Sequence, residues 1–198
     1  PSLGNINSQI DLTKRIDEYN ASVDCISCLT EEDHFLGTVH YLKEIREISP
    51  LPILRKDFMI DEYQFYEAKV IGANAILLIT GILDDVQMKD FYQLTTELGL
   101  DALFEAHTEE QMDRALNCGA KIVGVNNRDL RDFTTKLDTT KRLSKMVPDD
   151  RILVAESGIV SDEDVKYLKE CRVDAFLIGR AFMEAANPQE LAKHWKAL

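Results

Sequence analysis

The chain has 198 residues, 45% of them hydrophobic and 29% charged, enough for one soluble domain with a real core. Its net charge is −12, so its overall field repels nucleic acid and anionic membrane, and a phosphate ligand must be held by a local site. No apolar run approaches the length of a membrane span, and Pro1 to Asp11 has neither the basic head nor the apolar block of a signal peptide.

Pro1-Ser2-Leu3-Gly4 has turn chemistry with no element before it to turn from. Ile6, Ile10, Leu12 and Ile16 predict an amphipathic helix to about Asn20. Val23 to Leu29 reads as a strand and Thr30 to Thr38 as a loop, and Val39 to Ile48 is helical, with Leu42, Ile45 and Ile48 on one face. Leu51 to Arg55 reads as a strand buried on both faces, Glu62 to Ile71 as its helix, and Ala75 to Ile79 as the next strand. Val86 to Leu98 is a helix, Asp101 to Glu105 a strand, and Thr108 caps a helix over Glu109 to Asn117. Lys121 to Val125 is a strand followed by a long loop, and Thr139 to Met146 is helical. Arg151 to Ala155 is a strand, Ser161 caps the helix Asp162 to Glu170, Asp174 to Ile178 is the last strand, and a single final helix ends near Trp195.

These are seven strand–helix units in strict alternation, with a helix before the first. Such a run means an α/β fold with a parallel sheet and right-handed crossovers. Eight units close a (β/α)8 barrel, usually over about 250 residues. This shorter chain reads as a single barrel domain over 1–198 that begins in the loop after a missing first strand. An open doubly wound sheet competes, but polar residues recur at the C-terminal tip of nearly every strand, as a shared central mouth requires.

Four cysteines are present. Cys25 and Cys28 form a C-x-x-C, but residues three apart on a strand face opposite ways and do not share a metal. They read as strand-core cysteines in a reducing compartment. No histidine shows metal-ligand spacing.

The strand tips carry the chemistry. Arg55, Lys56 and Asp57 follow an apolar strand with no turn residue between, a costly place for an ammonium unless it is compensated. The bland alternative is a solvated Lys56–Asp57 pair. Glu105, Asn126 with Arg128, Glu156 with Ser157, and Gly179 with Arg180 stand at the other tips. Each has an ordinary reading as a solvated end or a turn, but their common phase favours one convergent pocket. Gly158 and Gly179 follow the last two strands, where barrels often hold a phosphate on backbone N–H groups, and Arg180 adds charge there. The set supports acid–base chemistry on a phosphorylated small molecule.

The stretches PSLG, ISCLTEEDHFLG, PILRKDFMID, GANAILLI, LFEAHTEEQMDRAL, GAKIVGVNNRDL, VAESGI and DAFLIGRAFM, in this order and spacing, resemble indole-3-glycerol phosphate synthase of tryptophan biosynthesis essentially from end to end. The resemblance implies a (β/α)8 TIM barrel in the cytoplasm. It also implies a carboxy-lyase that closes 1-(2-carboxyphenylamino)-1-deoxyribulose 5-phosphate to indole-3-glycerol phosphate with loss of CO2 and water, without cofactor or metal. By position, Lys56 matches the general acid that protonates the ribulose carbonyl oxygen. Glu105 matches the glutamate that handles protons in condensation and dehydration. Asn126 and Glu156 match residues that orient hydroxyls and stabilise cationic intermediates. Ser157 matches a substrate contact, and Arg128 an arginine near the anthranilate carboxylate. Phe35, Phe58, Leu77 and Leu130 match apolar positions around the aromatic ring, and Gly158 and Gly179 the phosphate cradle.

Two departures stand out. At Arg180 many relatives carry a small or acidic residue. In the family a first strand, bearing a glutamate and a lysine, ends just before Pro-Ser-x-Gly, whereas here Pro1 is residue one. A fragment of a longer protein is therefore expected, impaired in catalysis if it stands alone. The resemblance leaves room for fusion to, or association with, other tryptophan-pathway enzymes, and for no nucleic-acid or membrane partner. The competing functions are another phosphate-binding barrel such as phosphoribosylanthranilate isomerase, whose cysteine and aspartate pair is not in phase here, and a non-catalytic ligand-binding or scaffold protein.

Overall fold

The computed structural model describes residues 11–129 and 132–198. Within them the chain alternates helix and strand: α1 (Leu12–Asn20), β1 (Ile26–Leu29), α2 (Val39–Ile48), β2 (Ile53–Lys56), α3 (Glu62–Val70), β3 (Ala75–Ile79), α4 (Asp85–Glu97), β4 (Asp101–Ala106), α5 (Glu109–Asn117), β5 (Ile122–Asn126), α6 (Asp138–Leu143), β6 (Ile152–Glu156), α7 (Asp162–Lys169), β7 (Ala175–Leu177), α8 (Arg180–Glu184) and α9 (Pro188–Ala197). The seven strands lie side by side in sequence order, all parallel. Sequential order without a reversal excludes the doubly wound sheet, whose strand order reverses at a switch point. It is the order of a nearly closed (β/α)8 barrel with seven strands present. Among the described residues, β1 and β7 pair on one side only.

The helices start where their caps place them. Asp61, Asp84 and Ser161 each form a reciprocal capping box with the residue three positions on, and Thr108 caps α5 through its hydroxyl. Two cores follow from the strand period. Ile53, Ile76, Leu78, Phe104, Val123 and Leu153 point outward and pack beneath the helices. Leu54, Leu77, Ile79, Leu103 and Val154 point inward and fill the barrel.

Several expectations need correction. β1 starts at Ile26, so Cys25 precedes the strand and is exposed, and only Cys28 is a strand-core thiol. β7 is shorter than Asp174 to Ile178. The expected single final helix is two, because Asn187 caps a new start with Pro188 in its first turn. α6 ends at Leu143 and continues only as a 3-10 turn over Ser144–Met146. The helix expected from Ile6 is described from Leu12, and Pro1 to Ile10 lie outside the described residues.

Candidate active site

The trio at the end of β2 sorts itself by strand period. Arg55 and Asp57 point to the outer face, where Arg55 Nη2 donates to Asp57 Oδ2 at 2.9 Å and meets Glu67 Oε2 at 2.8 Å. Thr30 Oγ1 donates to Asp57 at 2.6 Å and closes this buried set. The bland Lys56–Asp57 pairing is therefore not formed, since Asp57 is taken by Arg55 and Lys56 points into the barrel. There Lys56 Nζ stands 3.2 Å from Glu105 Oε2 and 3.5 Å from Glu156 Oε2.

Register brings these groups together from three strands. Ile79 pairs with Glu105, Glu105 with Gly124, and Asn126 with Glu156. Gly124 faces inward beside Glu156, and a Cβ there would lie 2.1 Å from Glu156 Oε1. Only glycine leaves room for that carboxyl inside the barrel. Leu54, Leu77, Leu103 and Val154 lie one inward step below the charged layer and shut it off from the far end.

Burial and charge set the protonation of this layer. Burial alone would lower the Lys56 ammonium, but Glu105 and Glu156 outweigh it and raise its pKa. Burial would raise Glu105, yet Lys56, His107 and the Asn126 amide hold it below its usual range. Glu156 goes the other way: burial, joined by the like charge of Glu105, pushes it up to about 8 against the pull of Lys56. Two carboxyls 1–2% exposed are thus pushed in opposite directions, Glu105 toward the ionised form and Glu156 toward the protonated one. The 3.5 Å approach of Lys56 to Glu156 is an ion-pair distance without hydrogen-bond geometry, and neither Glu156 oxygen has a hydrogen-bond partner among the described residues.

The other expected site residues stand at strand ends and in the loops that follow them. Asn126 is buried, and its Oδ1 accepts from the Arg128 backbone N–H at 3.1 Å. The Arg128 guanidinium donates to the Phe133 carbonyl at 3.1 Å within the β5–α6 loop. Phe35 stacks on Phe58 with ring centroids 4.8 Å apart, and Phe58 packs against the barrel-interior cluster that holds Leu77. Phe35 is placed by Glu31, whose carboxylate accepts the backbone N–H groups of Asp33, His34 and Phe35. After Glu156 the chain turns through two left-handed residues, Ser157 (φ 64°) and Gly158 (φ 79°). A side chain at Gly158 would also strike Thr135 Cγ2, at 2.3 Å. Gly179 precedes α8, and space is open around its Cα. Arg180 is exposed and donates to Glu184 on its own helix at 2.8 Å. Leu130 lies outside the described residues.

Three further residues build the site without having been singled out as site residues from sequence. Gly124 was legible only as a glycine in a strand interior. Asn127 is no simple turn residue: its amide donates to the Glu156 and Ser157 carbonyls at 3.0 and 3.2 Å and accepts from Thr140 N–H and Oγ1. It ties the end of β6 to the start of α6. His107, two residues beyond Glu105, turns its ring to the same side, with Nε2 3.5 Å from Glu105 Oε1.

The indole-3-glycerol phosphate synthase family model matches residues 1–195. An indole-3-glycerol phosphate synthase of Lachnospira eligens is 54% identical over 201 residues, covering 99% of this chain and 75% of that protein. One of Acetivibrio thermocellus is 48% identical over 199 residues, covering 100% and 76%. In fold alone, the chain superposes on orotidine 5'-phosphate decarboxylase of Pyrococcus horikoshii with TM-score 0.71 at 15% identity, covering 94% of each chain. With this match running along nearly its whole length, the chain belongs to the indole-3-glycerol phosphate synthase family.

Proposed function

We propose that the protein closes the indole ring of 1-(2-carboxyphenylamino)-1-deoxyribulose 5-phosphate, giving indole-3-glycerol phosphate, CO2 and water. Membership of the family supports this reading. The observation that carries it is Lys56 held between two buried carboxyls, one of which has no hydrogen-bond partner. A buried carboxyl left without a hydrogen bond costs stability and marks a candidate place for a ligand.

The chemistry divides among these groups. The aromatic carbon bearing the carboxylate attacks the ribulose carbonyl carbon. The carbonyl π pair moves to oxygen, which takes a proton from the Lys56 ammonium. Glu105, ionised at 3.2 Å, favours the charged form of that ammonium, so the acid is loaded before the substrate arrives. The bond to CO2 then breaks and its electron pair restores the aromatic ring. The new hydroxyl leaves as water with a proton, and the adjacent ring carbon loses a proton to complete the indole. Glu105, ionised, is the acceptor for the proton lost. Glu156 carries a proton at neutral pH, and giving it to the departing hydroxyl leaves a carboxylate facing the cation that forms. Asn126 orients the substrate hydroxyls, and Ser157 contacts the substrate.

Substrate binding follows from the surrounding loops. The Phe35–Phe58 stack, with Leu77 and Leu130, receives the aromatic ring, and Arg128 its carboxylate. The turns at Gly158 and Gly179 offer backbone N–H groups to the phosphate, and Arg180 adds charge beside them. The inferred pathway supports a cytoplasmic location.

Turnover of this substrate, followed by indole fluorescence with CO2 release on the same sample, tests the reading. The expected result is equal amounts of indole product and CO2. Tight binding of a reduced substrate analogue with neither product would favour a ligand-binding role instead.

A further inference from the structure

His107 is a half-buried polar group to which the proposed chemistry gives no role. Its side chain is 13% exposed, and its Nε2 has no hydrogen-bond partner among the described residues. β4 ends at Ala106, and the inward face of residues 103 and 105 continues at 107, so the ring stands one step nearer the mouth than Glu105. Two contacts fix its position. The His107 backbone N–H donates to Gln111 Oε1 at 2.8 Å, tying the residue to the first turns of α5. Its Nε2 then lies 3.5 Å from Glu105 Oε1, while Glu105 Oε2 faces Lys56 at 3.2 Å. The two oxygens of one carboxylate thus face two different side chains.

Resting on the synthase reading above, we propose that His107 is a positioning residue for Glu105. In the tautomer with a proton on Nε2, the ring donates to Oε1 and stops the carboxylate from rotating toward Lys56. One oxygen is then held by the lysine, while the other, steadied by the ring, keeps its second lone pair for the substrate's proton. A separation of 3.5 Å is long for a hydrogen bond, and such catalytic contacts tighten when the ligand closes the site. A carboxylate free to turn can collapse into a bidentate pair with Lys56, which takes both the acid and the base off the substrate. The ring therefore acts through Glu105 and does not itself touch the reacting atoms.

The test compares the whole protein with His107→Ala and His107→Gln in steady-state turnover and in binding of a reduced substrate analogue. His107→Ala is expected to lower kcat about tenfold or more while changing the analogue's Kd by less than about threefold. His107→Gln, whose amide nitrogen reaches toward the same oxygen, is expected to restore most of the loss. A loss of packing alone would lower both variants alike and weaken binding with turnover. The 15N signal of His107 Nε2 reads the contact directly and is expected to move on Glu105→Gln. Normal turnover by His107→Ala, or an Nε2 signal indifferent to Glu105→Gln, would overturn the role of His107 and leave the synthase reading standing. No turnover by the unaltered protein would overturn that reading and, with it, any role for His107 in the reaction.

Discussion

A strand's two-residue period decides the fate of Arg55, Lys56 and Asp57. It sends the outer two to a buried ion pair beneath the helices and the middle one to the barrel mouth. That Lys56 stands at a strand tip was legible in the sequence; that Arg55 takes up Asp57 was not, because the choice depends on Thr30 and Glu67 from other elements. The opposite shifts of Glu105 and Glu156 were equally out of reach, since both are glutamates at strand tips and only their surroundings, with Lys56, His107 and Asn126 beside Glu105, separate them. Glu156 gives a stability prediction. Its folded pKa of about 8 lies above the 4.5 of the unfolded chain, so the folded state binds more protons between these values and stability falls as pH rises through that window. Glu156→Gln removes this dependence. Denaturant titrations should show the variant gaining stability over the parent as pH rises from 5 to 8, by up to about 3 kcal/mol at neutral pH. Equal pH slopes for the two proteins would contradict the raised pKa.

At the level of elements, β5 and β6 hold the site in register. Gly124 faces inward beside Glu156, and a methyl group there must displace that carboxyl from its place beside Lys56. Gly124→Ala is expected to cost about 1–3 kcal/mol through overpacking, and to lower turnover at least tenfold through the displaced Glu156. Chemical denaturation and kcat read the two effects separately, and a variant with full turnover contradicts the packing account. Asn127→Ala removes two donated and two accepted hydrogen bonds between β6 and α6. Its expected cost is about 2–4 kcal/mol, because the Thr140 N–H and hydroxyl that it leaves without an acceptor are buried. A change under about 0.5 kcal/mol would mean that the two elements are joined by something else. Helix starts at Asp61, Asp84, Thr108 and Ser161 are sharp because the cap chemistry is local. Strand ends at β1 and β7 were overextended, since pairing and burial set strand length and neither is a local property of Val23 to Leu29 or Asp174 to Ile178.

At the scale of the whole molecule, seven parallel strands in sequence order carry the site at one end, and the alternation that predicts this order is written along the chain. The unpaired edges of β1 and β7 present N–H and C=O groups among the described residues. A sample of these 198 residues alone is expected to associate as its concentration rises, and sedimentation velocity should show the shift. A monodisperse monomer at high concentration would contradict it. The central claim is that Lys56, clamped by Glu105 and Glu156, is the acid that drives ring closure. The most direct measurement is single-turnover indole formation by Lys56→Ala beside the parent, with the Kd of a reduced substrate analogue taken on both. A rate reduced by about a thousandfold or more, with Kd within a few-fold, is the predicted result. Ring closure at an undiminished rate in the variant would contradict the assignment.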